Sequence, residues 1–251
     1  MADSGVEKYN TPIDTWQIPD GAIPEKPSLR SAQSGGTALE FDSGRSAKMI
    51  FPYGKFTSVP DIEIDCDTDK YIAEIKTARD FNSQSEIKLT DKNDAENYVT
   101  YTVKYAVIPK AAVIGGRQSV QIANIIASAE PQPENNIMNV LDGDLSTRWS
   151  AQGTGQYIII ELENEAVLDS LMIAFASGNV RKTKFDISLS SDGNTWDKIF
   201  DDWSGGESTE YEQYSLGARR VRYIKIGCDG NSAQGIGGWN SITEIAVTGI
   251  N

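Results

Sequence analysis

The sequence predicts an all-β protein made of two β-sandwich modules that follow an extended N-terminal arm. Short runs of alternating apolar and polar residues recur along the chain, turn residues separate these runs, and no stretch has the 3.6-residue apolar period of a helix. This rhythm is typical of antiparallel sandwiches. A chain of 251 residues is long enough for two ordinary domains, each with its own core.

Residues 1–36 predict an arm rather than a domain, because they hold four of the nine prolines and few apolar residues. A proline-rich arm is seldom ordered unless other contacts hold it. Two interpretations stay open: a disordered tail, or a segment that packs on a neighbouring subunit or a larger assembly. In the second case Trp16 would be the anchor.

Residues 37–109 predict a first module of six half-buried strands, at 39–41, 47–51, 61–65, 71–75, 86–89 and 99–107. The opening MIFPYGKFTSVP at 49–60 and the ending YTVKYAV at 101–107 resemble the H-type lectin domain. That resemblance implies a small lectin-like sandwich and makes a homotrimer an expected form of assembly. Residues 110–118 predict a short packed linker.

Residues 119–251 predict the second module. The motifs DGDLSTRW at 142–149, RKTKFDISLSSDGNTW at 181–196, RRVRYIKI at 219–226 and WNSITEI at 239–245 occur there in order. At these positions the chain resembles the discoidin family, also called factor V/VIII type C domains, and within it the family 32 carbohydrate-binding modules attached to alginate lyases. The resemblance implies a jelly-roll-like sandwich in which Trp149 and Trp196 belong to the core.

A cation site is expected on the tight turn around Gly143, because two carboxylates and a hydroxyl crowd there and Ca²⁺ prefers such oxygen ligands. The discoidin resemblance implies a structural Ca²⁺ shared between this turn and the last strand. Carried over by position, its ligands would be the carboxylates of Asp142, Asp144 and Glu244, the hydroxyl and carbonyl of Thr147, and the carbonyls of Asn139 and Thr243. The alternative is a plain Asp-Gly turn with Asx hydrogen bonds.

Glycan contact is expected on loops at one end of the second sandwich, where an aromatic ring can stack on a sugar and polar side chains can bind its hydroxyls or a uronate carboxylate. The candidates are Arg181, Lys182, Asn231, Trp239 and Asn240. Two alternatives stay open: Trp239 belongs wholly to the core, and Arg181 with Lys182 forms a solvated hairpin entrance.

Composition excludes several function classes. The chain has no histidine, which removes histidine-based triads and zinc motifs, and we predict that it is not an enzyme. A net charge of -13 argues against nucleic acid as a partner. No apolar run is long enough to predict membrane insertion. Cys66 and Cys228 fall in different modules, so we expect two reduced, partly buried thiols.

Three functional hypotheses follow. The first is a non-enzymatic glycan-binding or adhesion protein, such as a phage virion decoration or tail-fibre component. The second is an accessory targeting module of a polysaccharide lyase system of the alginate type. The third is a structural decoration protein with inactive sugar sites. In each case the expected location is extracellular or on a virion surface without a classical signal peptide.

Overall fold

The computed structural model describes residues 25–114 and 117–249. Trp16 and most of the predicted arm lie outside these ranges. The regular secondary structure of the described chain is almost all β-strand, which confirms the all-β prediction; its helical part consists of two short 3-10 helices at Pro133–Asn135 and Ile137–Leu141. Within it there is no helix with the length and apolar character that crossing a bilayer requires.

The first sandwich consists of two sheets in the described chain. Strands β1 and β2 pair with β4 in the order β2-β1-β4, and the facing sheet has the order β3-β7-β6-β5. The strands are β1 Leu29–Ser34, β2 Thr37–Ala38, β3 Ser46–Pro52, β4 Ile62–Cys66, β5 Tyr71–Lys76, β6 Ser85–Asp91 and β7 Tyr98–Ile108. The side chains between the sheets include Phe51, Ile87, Leu89 and Val103, which are almost fully buried.

The boundary of the arm differs from the prediction. Residues 29–34 form β1, an inner strand of the first sandwich, although they were expected to belong to the arm. The expected strand at 39–41 is absent, and the two-residue strand β2 precedes it. β1 forms because its backbone pairs with β4 over about thirty residues of sequence separation, for example Ala32 with Ile64.

The linker predicted at 110–118 contains a small hairpin of β8, Val113–Ile114, and β9, Arg117–Gln118. The two sandwiches also contact each other through residues that precede and follow this hairpin in the sequence. Ile108 at the end of β7 is buried in the core of the second sandwich, and Lys48 Nζ lies 3.5 Å from Glu130 Oε1.

The second sandwich is organised around one large sheet with the order β11-β17-β12-β15-β13-β14, while β10 pairs with β12 and β16 pairs with β15. Its strands are β10 Ile122–Ala127, β11 Trp149–Gln152, β12 Gln156–Phe175, β13 Thr183–Ser190, β14 Asp197–Trp203, β15 Glu212–Asn231, β16 Gly235–Ile236 and β17 Trp239–Gly249. The two strands expected at 157–161 and 168–175 are one strand, β12, bent at irregular positions in its pairing with β15.

The core of this sandwich contains Trp149, which has no exposed surface and donates from Nε1 to the carbonyl of Ala129 at 2.9 Å. Trp196 was also expected in the core, and that expectation is wrong. Trp196 is half-buried, because it lies in the turn between β13 and the edge strand β14. Both cysteines are buried free thiols.

Candidate ligand pocket and cation turn

A pocket opens at the loop end of the second sandwich, where β17 begins and β12 ends, beside the short strand β11. Its volume is about 380 Å³. We call it the arginine pocket, and its lining consists of polar and small side chains around two guanidinium groups: Gln132, Arg148, Ser150, Ala176, Ser177, Arg181, Gln234, Trp239 and Ser241.

Arg148 stands directly before the core residue Trp149, and its side chain is exposed in the pocket. Its Nε donates to Ser150 Oγ at 3.2 Å. The backbone carbonyl of Arg148 accepts a hydrogen bond from Asn139 Nδ2 at 2.9 Å. The preceding turn therefore holds the backbone from which this guanidinium extends.

Arg181 is held by a tight turn after β12. Ser177 has a φ of 57°, a left-handed conformation that is rare for residues other than glycine. Its carbonyl accepts from the backbone N–H of Arg181 at 3.1 Å, and Arg181 Nε donates to the carbonyl of Ala176 at 3.2 Å. Burial, and secondly the positive charge of Arg148, lower the pKa of Arg181.

Trp239 forms one wall of the pocket and is half-buried. Its backbone N–H donates to Gln234 Oε1 at 2.9 Å. The floor contains the buried hydroxyls of Ser150 and Ser241, on paired positions of β11 and β17, with their Oγ atoms 3.0 Å apart. The pocket thus combines an aromatic side chain, amides and hydroxyls on a rigid sheet edge.

The electrostatics of the pocket are unusual for this acidic protein. None of its lining residues is acidic, and neither Arg148 nor Arg181 forms an ion pair with a carboxylate among the described residues. Two guanidinium groups that repel each other and lack an internal counter-ion favour an external anion. A planar carboxylate matches the fork of a guanidinium.

The structure brings only two of the five predicted ligand residues, Arg181 and Trp239, into this pocket. Lys182 is exposed but lies outside the lining, with its side chain against Gly206. Asn231 and Asn240 were also predicted to contact a sugar, and that prediction is wrong. Both side chains are almost fully buried and are not accessible to a ligand.

The two asparagines instead hold the loops around the pocket. Asn231 Nδ2 donates to the carbonyl of Trp239 at 2.8 Å. Asn240 Oδ1 accepts from the N–H of Gly230 at 2.6 Å, and its Nδ2 donates to the carbonyls of Ala151 and Gly153 at 3.1 and 2.8 Å. A polar side chain with its hydrogen bonds satisfied in this way is a structural element.

We therefore expect Asn240→Ala to lower the free energy of unfolding by about 1–3 kcal/mol, because it leaves a buried N–H and two carbonyls without their partner. Denaturant unfolding of the full chain measures this loss. Asn194→Ala is the matched control, since Asn194 is exposed and its side-chain amide makes a single bond to the carbonyl of Asp192. Equal stability of the two variants would contradict the structural role of Asn240.

The second candidate feature is the turn at 139–147, which we call the cation turn. The Thr147 hydroxyl lies 2.7 Å from Asp142 Oδ2, 3.0 Å from the carbonyl of Asp144 and 3.4 Å from the carbonyl of Asn139. Glu244 on β17 reaches the same turn, because its Oε1 accepts from the N–H of Gly143 at 2.7 Å. The turn and the last strand are thus joined across about a hundred residues.

Glu244 is almost fully buried, and its carboxylate faces that of Asp142. Burial, followed by the hydrogen bond and charge of Asp142, raises the pKa of Glu244 to about 7. Burial and the charge of Glu244 also raise the pKa of Tyr211, whose hydroxyl lies 3.4 Å from Glu244 Oε2, to about 12. Two facing carboxylates in a partly buried position repel each other.

These residues fit a hard cation in part. A cation would relieve the repulsion between Asp142 and Glu244, and the Thr147 hydroxyl with the neighbouring carbonyls offers further oxygen ligands. The Asp144 carboxylate instead binds Ser146, at 2.6 Å to its hydroxyl. The Thr243 hydroxyl donates to the carbonyl of Ala174, so the expected ligand of Thr243 stays its backbone carbonyl. Within residues 25–114 and 117–249, no three His, Cys, Asp or Glu side chains form a metal-binding group, so backbone and hydroxyl oxygens would be essential.

Arg148 was missed at the sequence level, although a signal for it existed. Successive side chains of an extended chain point to opposite faces, so the residue before the core residue Trp149 is expected on the face away from the core. Gln132 and Gln234 carry no comparable signal, because each lies in a loop whose course depends on distant contacts.

Comparison with known proteins agrees with this architecture. The F5/8 type C domain model matches residues 124–245. Residues 124–245 belong to the F5/8 type C family. No curated protein matched the chain.

Several solved structures are similar to the F5/8 type C segment. The family 32 carbohydrate-binding module of AlyQ in complex with 4,5-unsaturated mannuronic acid is 39% identical, with a TM-score of 0.48, and the match covers 51% of this chain and 96% of that one. Truncated AlyQ with its carbohydrate-binding and alginate lyase domains is 38% identical, with a TM-score of 0.48, over 53% of this chain and 34% of that one. A pectin-binding carbohydrate-binding module is 27% identical, with a TM-score of 0.48, over 53% and 94% of the two chains.

Proposed function

We propose that the second sandwich binds glycans through the arginine pocket and that the sugar it recognises there carries a carboxylate, as a uronate does. The observation that supports this proposal is the pair of Arg148 and Arg181 in a lining without acidic residues. Hydrogen bonds between a guanidinium and a carboxylate are charge-assisted and are roughly twice as strong as neutral ones. In a protein with a net charge of -13, such a basic pocket gives an anionic sugar a local attraction that opposes the repulsion from the overall charge.

The other lining residues suit the remainder of a sugar ring. Trp239 offers an aromatic surface for the C–H face of a pyranose. The side-chain amides of Gln132 and Gln234 can exchange hydrogen bonds with hydroxyl groups. The pocket is therefore suited to one acidic sugar residue at the end or edge of a polysaccharide.

A calorimetric titration of the full chain tests this proposal. Tetrasaccharides of mannuronate and galacturonate are compared with the tetrasaccharides of mannose and galactose that have the same linkages and carry a hydroxymethyl group in place of each carboxylate. We expect binding of at least one uronate series, at least tenfold tighter than its neutral counterpart and weaker in high salt. Uronate binding that does not depend on salt, or that is as tight after Arg148→Ala and Arg181→Ala, would contradict recognition of the carboxylate in this pocket.

We further propose that the chain binds sugars without transforming them. The arginine pocket contains serines, glutamines, arginines and one tryptophan, and none of these is a general acid or base suited to neutral pH. Incubation of pure protein with alginate, pectin and neutral polysaccharides should give no new reducing ends and no unsaturated products. Turnover above that of a heat-treated sample would overturn this part of the proposal.

We also propose a structural Ca²⁺ held by the carboxylates of Asp142 and Glu244, the Thr147 hydroxyl and the carbonyls of the cation turn. When bound, the ion would supply positive charge between the two carboxylates and tie the turn to β17. Because the Asn139 side chain binds the carbonyl of Arg148, this turn also positions one arginine of the pocket.

The wider context of the protein stays a prediction. A virion component or adhesion protein would be a homo-oligomer, a trimer by the H-type lectin resemblance, and would gain affinity from several weak sites acting together. An accessory module of a lyase system needs no oligomer. An inert decoration protein would bind none of the tetrasaccharides, so sedimentation of the full chain together with the titration distinguishes the three.

A further inference from the structure

A second pocket lies on the sheet surface of the second sandwich and shares no lining residue with the arginine pocket. Its volume is about 250 Å³. We call it the sheet pocket. Its lining combines two aromatic residues, four charged residues and small or polar residues across β12, β15, β13 and the start of β14: Gly155, Gln156, Tyr157, Asp186, Ser188, Trp196, Lys198, Lys225, Gly227, Cys228 and Asp229.

Gly227 on β15 is the centre of this pocket. The strand register pairs it with Tyr157 on one side and with Asp186 on the other. Because neighbouring strands lie about 4.8 Å apart, the backbones that carry Tyr157 and Asp186 are separated by roughly 10 Å across a residue that has no side chain. This missing side chain leaves a trough that one sugar ring can enter.

A side chain at Gly227 would close this trough. A Cβ atom there would lie 2.3 Å from Asp186 Oδ2, so the carboxylate leans over the glycine. The glycine thus brings an oxygen acceptor to the floor of the pocket. Asp186 Oδ2 lies 3.7 Å from Lys198 Nζ, an exposed partner, and Oδ1 accepts from Ser188 Oγ at 3.3 Å. A carboxylate has further acceptor positions, so it can accept from a ligand as well.

Charged residues bound the trough along β15. Lys225 comes two residues before Gly227, and its Nζ lies 4.7 Å from the centre of the Tyr157 ring. Asp229 comes two residues after, and its Oδ1 accepts from the N–H of Gly155 at 2.8 Å. The length from Lys225 to Asp229 is about 13 Å at the rise of a β-strand, which accommodates one or two sugar rings.

The lining also contains Trp196, which is half-buried in the turn between β13 and β14. Aromatic side chains offer apolar faces to sugar C–H groups, and carboxylates accept hydrogen bonds from pairs of hydroxyls. Asp186 and Asp229 are balanced by Lys198 and Lys225 in the same lining. The sheet pocket therefore carries no excess positive charge for an anion, in contrast to the arginine pocket.

We propose that the sheet pocket is a second carbohydrate site, which takes a neutral sugar residue between Tyr157, Trp196 and the carboxylate of Asp186. With both pockets the protein could bind one polysaccharide that contains acidic and neutral sugar residues, or two separate polysaccharide molecules. This site does not require the arginine pocket to function.

Nuclear magnetic resonance of the full chain carrying Arg148→Ala and Arg181→Ala tests the proposal with the first pocket disabled. Neutral tetrasaccharides of β-1,4-linked glucose, mannose and galactose are added, and the indole N–H of Trp196 and the amide of Gly227 are followed. We expect saturable shifts of these two resonances with at least one neutral sugar. Mannuronate and galacturonate tetrasaccharides should bind at least tenfold more weakly.

Two further variants in the same background locate the site. Asp186→Asn keeps the size of the side chain and removes the charge, while Tyr157→Ala removes the aromatic wall; each should weaken binding at least tenfold. Tyr98→Ala is the matched control, because Tyr98 also forms a lysine–aromatic pair, with Lys88 Nζ 4.6 Å from its ring, in the first sandwich.

Absence of any shift at Trp196 and Gly227 with all three neutral sugars would overturn the proposal. So would an affinity unchanged by Asp186→Asn, or lowered equally by Tyr98→Ala. Because Asp186→Asn preserves shape, it decides the question even if Tyr157→Ala does not fold. A failure here leaves the arginine pocket untouched, since that pocket is tested with uronates in the unsubstituted protein.

Discussion

Replacing both Arg148 and Arg181 by alanine should reduce affinity for a uronate tetrasaccharide at least a hundredfold. A hydrogen bond to a charged group contributes about 1.5–3 kcal/mol, and two such losses correspond to two decades or more in the dissociation constant. The single variants should each lose roughly tenfold. Arg181→Lys should recover only part of the loss, because an ammonium lacks the planar fork that matches a carboxylate.

The matched control is the pair Arg30→Ala and Arg79→Ala. It removes the same charge from exposed arginines of the first sandwich, which pair with Asp65 and Asp80. If the control lost as much affinity as the pocket variant, the uronate would be attracted by the overall charge of the protein and not by the arginine pocket. If the pocket variant kept full affinity, the carboxylate would bind elsewhere. Calorimetry at two salt concentrations separates these outcomes.

Strands with one buried face could be predicted from the sequence. Strands that depend mainly on backbone pairing with a distant strand could be predicted less well. β7 alternates between buried and more exposed positions from Tyr98 to Tyr105, which is what a two-residue period records. β1, with the sequence LRSAQS, has little apolar character, so its strand depends on backbone pairing with β4. Such pairing between distant segments leaves no local pattern in a single sequence.

The same limit applied to the site. Arg181 and Trp239 were predicted because their residue types suit a sugar, and both line the pocket. Asn231 and Asn240 have equally suitable side chains, yet backbone carbonyls of Trp239 and Ala151 occupy their amide groups. The sequence records which groups a residue carries, whereas the burial of a polar side chain depends on which backbone groups the fold brings to it.

The proximity of Arg148 to Arg181 is also a property of the fold. The two residues are more than thirty positions apart, and the pocket forms only because β11 and the end of β12 both lie beside β17. The turn at Ser177, whose positive φ has no marker such as glycine in the sequence, completes the placement of Arg181.

Calcium should raise the melting temperature of the second sandwich, and Glu244→Gln should abolish most of that increase. A ligand at a hundredfold excess over its dissociation constant stabilises the folded state by about 2.7 kcal/mol, which corresponds to roughly 5–10 °C for a domain of this size. Glutamine keeps an oxygen that can accept from Gly143 and removes only the charge. Glu163→Gln is the control, because Glu163 is an exposed glutamate on β12.

The pH dependence distinguishes a cation site from a plain capped turn. In the presence of a chelator, the raised pKa of Glu244, about 7 against an ordinary 4.5, means that the folded state holds a proton which the unfolded state releases. The stability from this group is therefore complete below about pH 4.5 and is lost as pH rises to about 7. Saturating Ca²⁺ should reverse this trend, because the ion prefers the ionised carboxylate, and Glu244→Gln should remove both effects. Thermal unfolding from pH 4.5 to 8, with chelator or with Ca²⁺, measures both effects. If the original protein and Glu244→Gln had the same pH dependence in chelator, the two facing carboxylates would not be coupled. If Ca²⁺ left the melting temperatures of both proteins unchanged, the turn would be a capped turn without an ion.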